Sequence, residues 1–394
     1  MVMTASSSTT PTLYIIGDGV VAEYGEDMYP AQGWGAYIKD VTKDINVVNL
    51  AHNGETMSSF IENGHWKEVS NKLIPGDFVM VAFGADSYDS RGEAHYSKSL
   101  LKYGLDIKNH GAEAVFVTPA ATGGNMAVNT LLDPMTKAVK KCATVLDATL
   151  CDLNGTMRKL FLDANGKESD MNVNSVYNSL FITWNTNSQK EQSGTISGFA
   201  ENAVSSKDYA HLSIQGAIYT SNLVAAELYN TKSNISKYMK NTQDAKERPA
   251  QYEVLTEMSN STAKGILFNG MEYQGLPTQV FAYLGIPESA TPENPVPAIV
   301  LVHGGSGKAD LSAVNFWVSK GYAAISYYCV EATSSTDNTY PSGESINYTK
   351  GPRKTAGIGD EQNKNIPEAD QWAYHVISSA SLSYNLLNSL PEVK

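Results

Sequence analysis

Over the first 230 residues, short apolar runs alternate with stretches of helix length. Residues 13–16, 45–50, 78–83 and 114–118 are apolar and close at or near Gly17, Gly54, Gly84 and Pro119. Runs this short, bounded by turn residues, predict buried strands. Residues 34–41, 66–73 and 96–109 between them predict helices. Such alternation predicts an α/β fold, a parallel sheet covered on both faces. Ligands of such sheets sit beyond the carboxyl ends of the strands, so the closing glycines mark where chemistry is to be sought.

Residues 165–200 are polar and turn-rich and read as an insertion, and 212–228 read as an amphipathic closing helix. Residues 230–262 are polar and almost without apolar positions, which predicts a domain boundary. A second α/β pattern follows, with strands at 279–285, 298–303 and 323–328 and helices at 311–320 and 368–390. The expected organisation is a flexible lead (1–11), a first domain (12–230), a linker (231–264) and a second domain (265–394).

Charge narrows the function. Of 394 residues, 29 are Lys or Arg and 41 are Asp or Glu, a net charge of −12. A nucleic-acid partner needs a basic face and an anionic membrane surface needs a basic patch, so neither is expected. No apolar run reaches ~18 residues, and no basic-then-apolar leader opens the sequence. Cys142, Cys151 and Cys329 form no C-x-x-C pair and suggest no metal cage; they read as separate thiols, with a Cys142–Cys151 bridge as the alternative. No cofactor is expected. N-x-S/T sequons at Asn154, Asn234, Asn260 and Asn347 are compatible with a secreted, extracellular protein.

Four blocks fall at the strand ends of the first domain: I-I-G-D-G-V-V-A (15–22) with G-W-G (33–35), N-L-A-H-N-G-E-T (49–56), V-A-F-G-A-D-S (81–87) and D-Y-A-H-L-S-I-Q-G-A (208–217). In this order they resemble the SGNH (GDSL) hydrolases, above all the rhamnogalacturonan-acetylesterase-like carbohydrate esterases. The resemblance implies a flavodoxin-like three-layer αβα domain over residues 12–230. It also implies a serine nucleophile in the first block, a histidine base in the last and an aspartate that orients it. His211 matches the base and Asp208 the orienter, both expected on one turn leading into a helix. Gly54 matches a backbone oxyanion donor, and Trp34 is an aromatic candidate for holding a sugar.

The sequence departs from that pattern twice. The nucleophile position is Gly19, which has no side chain to attack with. In the third block an expected asparagine donor is replaced by Asp86, or is deleted with Asp86-Ser87 shifted up. A carboxylate there has the wrong sign for a developing oxyanion and would face Asp18 across the cleft. Loss of a serine nucleophile costs on the order of 10⁶ in turnover. The expectation is a weak or inactive site. It is explained by degeneration, by a deliberate change, or by an altered mechanism using Asp18, Asp86 or a water activated by His211.

Residues 265–394 resemble the front half of an α/β-hydrolase of the acetyl-xylan-esterase and dienelactone-hydrolase type. The resemblance is carried by L-P-T-Q-V-F-A-Y-L-G-I-P (276–287), P-A-I-V-L-V-H-G-G-S-G (297–307) and K-G-Y-A-A-I (320–325). It implies backbone oxyanion donors at His303-Gly304-Gly305. No G-x-S-x-G occurs in the sequence, so no nucleophile is expected there either. Such a half sheet would present an open edge, to be covered by a missing C-terminal half or a partner chain. The function expected is deacetylation of plant cell-wall polysaccharide, with an acetylated sugar as ligand. The alternatives are a non-catalytic carbohydrate-binding module and a regulatory domain of a longer two-esterase chain.

Overall fold

The structure, a computed structural model, describes residues 10–25, 28, 31–84, 92–121, 132–161, 181–182, 208–255, 258–275, 277–303, 308–328, 352, 363 and 365–394, with backbone alone at 161, 181–182 and 208–210. The chain divides into two units, Met1–Trp184 with Gly198–Lys240 and Asn185–Ser197 with Asn241–Lys394. Apart from residues 10 and 11, the expected flexible lead lies outside the described residues.

In the first unit, β1 (Thr12–Gly17) leads to a 3₁₀ helix (Trp34–Val41) and β2 (Asn46–Asn49). Helices α1 (Met57–Glu62) and α2 (His65–Ser70) cross to β3 (Phe78–Ala82). α3 (Gly92–Asn109), β4 (Glu113–Val117), α4 (Asp133–Leu146), β5 (Thr149–Cys151) and α5 (Leu153–Phe161) follow. The unit closes with a β6 (Phe181–Ile182) and β7 (Asp208–Leu212) pair and α6 (Ile214–Tyr229). The five-stranded sheet has the order β2-β1-β3-β4-β5, and every pairing in it is parallel, as the alternating pattern predicts.

Strand side chains alternate between two buried faces. Tyr14, Ile16, Val79, Val81 and Phe116 join a core with α1–α4, in which Phe60, Tyr96, Tyr103 and Ile107 are fully covered. Each such side chain stabilises the fold by about 1.5–3 kcal/mol. Leu13, Ile15 and Met80 are buried on the opposite face, where α6 packs against the 3₁₀ helix and α5. α3 forms because Tyr96, Leu100, Tyr103 and Ile107 recur at helical spacing, and Gly111, at φ 75°, turns the chain into β4.

The 34–41 stretch is 3₁₀ rather than α-helical. It lies so close to the loop after β1 that a Cβ on Gly33 would come within 2.1 Å of the Ala22 carbonyl oxygen, and one on Gly35 within 2.4 Å of that of Val21. The G-W-G motif is therefore a backbone-on-backbone contact.

The second unit holds β8 (Tyr252–Leu255), β9 (Ala263–Asn269), β10 (Gln279–Gly285), β11 (Ala298–Leu301), α7 (Leu311–Ser319), β12 (Ala323–Tyr327) and α8 (Trp372–Ser389). Its sheet is mixed, in the order β11-β12-β10-β9-β8, and only β11 and β12 run parallel. α7 covers one face with Phe281 and Tyr283, and α8 covers the other with Phe268, Ile325 and Tyr327. Among the described residues β11 pairs on one side only, and Val393 bridges Val296 just ahead of it.

The linker expected at 231–264 is not core-less. Ile235 and Met239 are fully buried in the first unit, and the Phe78 and Tyr238 rings meet edge to face at 5.7 Å. β8 and the start of β9 belong to the second sheet. Arg248 is 1% exposed and donates to both Glu272 oxygens at 2.9 and 3.0 Å. The polar sequence hides this burial because its charge is neutralised by a partner 24 residues away.

Candidate active site

Three loops meet beyond the carboxyl ends of β1, β2 and β3, and one carboxylate ties two of them. Asp18 is 2% exposed. Its Oδ2 accepts from the Gly84 N–H at 2.6 Å and its Oδ1 from the Val20 N–H at 3.2 Å. Its carbonyl accepts from Val21 and Ala22, which tightens the turn that carries Gly19. With both oxygens accepting from backbone donors, Asp18 braces the turn. It also adds to the burial that holds the Tyr96 phenol neutral, and Tyr96 donates to the Phe83 carbonyl at 2.6 Å.

The β2 loop is fixed to the same place. The His52 N–H donates to the Gly17 carbonyl at 3.1 Å, and the Asn49 amide donates to the Val21 carbonyl at 3.0 Å. Gly54 has φ 76°, a conformation that glycine adopts without strain. The resulting cavity, of about 430 Å³, is lined by Asp18, Gly19, Trp34, Asn53, Gly54 and His211, among others. That size suits a small ligand.

Residue 19 lines this cavity with its side-chain space already taken. A Cβ there would lie 2.4 Å from Asn53 Oδ1 and 2.7 Å from the Tyr24 hydroxyl. That hydroxyl donates to the Gly19 carbonyl at 2.7 Å. The Tyr24 ring meets the His211 ring edge-on, with centroids 6.0 Å apart.

The other expected site residues divide clearly. Trp34 lines the cavity but is 1% exposed, so it offers no face on which a sugar could stack. Asp208 and His211 lie on strand β7, not on the turn expected, because the segment pairs with β6 in an irregular register. The Asp208 side chain, Asp86, Gly304 and Gly305 lie outside the described residues. His303 stands after β11 with its ring 6.1 Å from that of Tyr328. Among the sequons, Asn154 is buried and donates to the Pro119 carbonyl.

A neighbouring cluster was not foreseen. His52 stacks on His65 at 4.1 Å, and both rings pack on Phe60. His65 Nε2 lies 3.5 Å from Glu55, which also accepts from Asn63 and Ser59. Partial burial and then His65 push the His52 imidazole below its ordinary range, against Glu55 and Glu68. Burial works to raise the Glu55 carboxyl, but Ser59, Asn63 and the two imidazoles bring it below its ordinary value. Only the fold stacks these two imidazoles; their spacing in the sequence carries no such signal.

Loops at the ends of a parallel sheet bring Gly19, Gly54 and His211 onto one cavity in the first unit, and over this part the chain is similar to acetylesterases. The chain is 25% identical over 220 residues to the rhamnogalacturonan acetylesterase RhgT of Bacillus subtilis, covering 54% of this chain and 87% of that protein. It is 26% identical over 117 residues to the probable rhamnogalacturonan acetylesterase YesY of the same organism, covering 28% of this chain and 54% of that one. Among solved structures, an acetylxylan esterase of Geobacillus stearothermophilus aligns at 18% identity and a TM-score of 0.32, covering 41% of this chain and 88% of that one. No family model matches the chain.

Proposed function

We propose that residues 12–230 form a carbohydrate-esterase-type domain that receives an acetylated cell-wall polysaccharide and turns it over weakly or not at all. Similarity to the acetylesterases supports the substrate class. The observation that carries the reading is Gly19: the strand-end frame converges on a position without a nucleophile. His211 is assigned as the base, Asp208 as its orienter and the Gly54 N–H as an oxyanion donor, which leaves donors and a base with nothing to activate but water. In the second unit His303-Gly304-Gly305 is assigned as a backbone donor loop of an α/β-hydrolase-like domain. The strand–loop–helix run from β11 into α7 favours that reading. Secretion of the chain is part of the same reading.

The test is p-nitrophenyl acetate turnover by the chain beside its Gly19→Ser variant. The reading expects activity in the variant and a rate on the order of 10⁶ lower without a serine. Comparable turnover by both would replace it with an altered mechanism. A second reading, binding without any turnover, draws on Asn53 and Tyr24, which occupy the serine's space. Retention of acetylated but not deacetylated oligosaccharide by the chain as it stands would favour it.

A further inference from the structure

We infer that Asn53 is a second determinant of the lost chemistry, independent of Gly19: its carboxamide stands where the nucleophile's side chain belongs and impedes any serine restored there. This inference rests on the reading of the first unit as an esterase-type domain. Asn53 Oδ1 lies 2.4 Å, and its Cγ 3.3 Å, from where a Cβ on residue 19 would be. Contacts under 3.0 Å do not persist between non-bonded atoms of this kind, so one group must leave.

The loop that carries Asn53 is not free to withdraw. The preceding His52 N–H is bonded to the Gly17 carbonyl, and the His52 ring is stacked on His65. The following Gly54 already sits at positive φ. Relief must therefore come from rotating the Asn53 side chain. Tyr24, the other close neighbour, is part of the frame, since its hydroxyl holds the Gly19 carbonyl. Asn53 is different. Its side chain is exposed and makes no hydrogen bond among the described residues, so truncating it removes no support from the fold.

Asn53 is exposed and turns at little cost, but it lines the cavity that residue 19 and His211 share, so the turned amide competes there with the incoming acyl group. Competition comparable in size to an off-rotamer side chain accounts for about a tenfold loss. The positional effect is separable from stability, because it reads on the reactivity of residue 19 alone.

The experiment measures labelling by a fluorophosphonate probe, which reports a serine activated by a base. It uses the full-length Gly19→Ser chain, the Gly19→Ser/Asn53→Ala and Gly19→Ser/Asn53→Gly doubles, and each of these with His211→Ala. The expected result is labelling about tenfold faster in both doubles than in the single variant, at unchanged melting temperature and lost on His211→Ala. Equal, His211-dependent labelling of single and double variants would overturn the role of Asn53 while leaving the esterase reading intact. Folded doubles that label no faster than the unmutated chain, or that label independently of His211, would remove the esterase reading and this inference with it.

Discussion

Asp18→Ala is the most exposed consequence of reading Asp18 as a brace. The substitution removes a buried carboxylate that accepts from Gly84 at 2.6 Å and from Val20 at 3.2 Å, and it leaves both N–H groups without that partner. A hydrogen bond to a charged group contributes about 1.5–3 kcal/mol, and the longer bond to Val20 belongs at or below that range. The expected destabilisation of the first unit is therefore about 2–4 kcal/mol. Asp18→Asn keeps the shape and one acceptor, so about half that loss is expected. The assay is urea denaturation followed by far-UV circular dichroism and fitted for two units, with amide exchange at Gly84 as a local probe. Exchange at Gly84 should quicken in the alanine variant before the global transition moves. A loss below about 0.5 kcal/mol, with Gly84 still protected, would refute the brace.

Two further predictions concern charge. In the second unit, Glu272→Ala strands the buried Arg248 guanidinium and should destabilise by about 3–5 kcal/mol, whereas Arg248→Met with Glu272→Leu should cost much less; urea midpoints of the two variants decide it. The first unit should lose stability on acidification. His52 binds its proton less readily when folded, so its contribution is intact above the ordinary imidazole range and lost as pH falls through it. Glu55, held below its ordinary value, adds a loss of the same sign at lower pH. Melting temperature against pH should fall less steeply for His52→Gln, and an unchanged slope would exclude the stacked pair as its source.

The parallel sheet was legible because β1, β3 and β4 are apolar runs cut off by Gly17, Gly84 and Pro119, and burial on both faces requires that pattern. β9 was not legible. Lys264 and Gly265 interrupt its apolar run, yet five of its last residues, Gly265–Asn269, are buried. β5 has three residues, too few to show a period. The burial of Trp34 is not legible, because an aromatic beside such a block reads the same whether it faces solvent or core. Asn53 gave no sign at all: it is one polar residue in a polar loop, and its effect exists only through a distance to residue 19.

The glycines of the first block and of G-W-G have a consequence for what such motifs report. Side chains at Gly17, Gly33 or Gly35 would press on backbone oxygens at 2.4, 2.1 and 2.4 Å, so selection for folding alone keeps these positions unchanged. A side chain at residue 19 meets only the ends of two other side chains. A change at residue 19 can therefore leave every one of these glycine contacts in place, whatever it does to reactivity. A glycine at position 17, 33 or 35 is thus evidence of the fold and not of activity, which has to be read at positions 19 and 53.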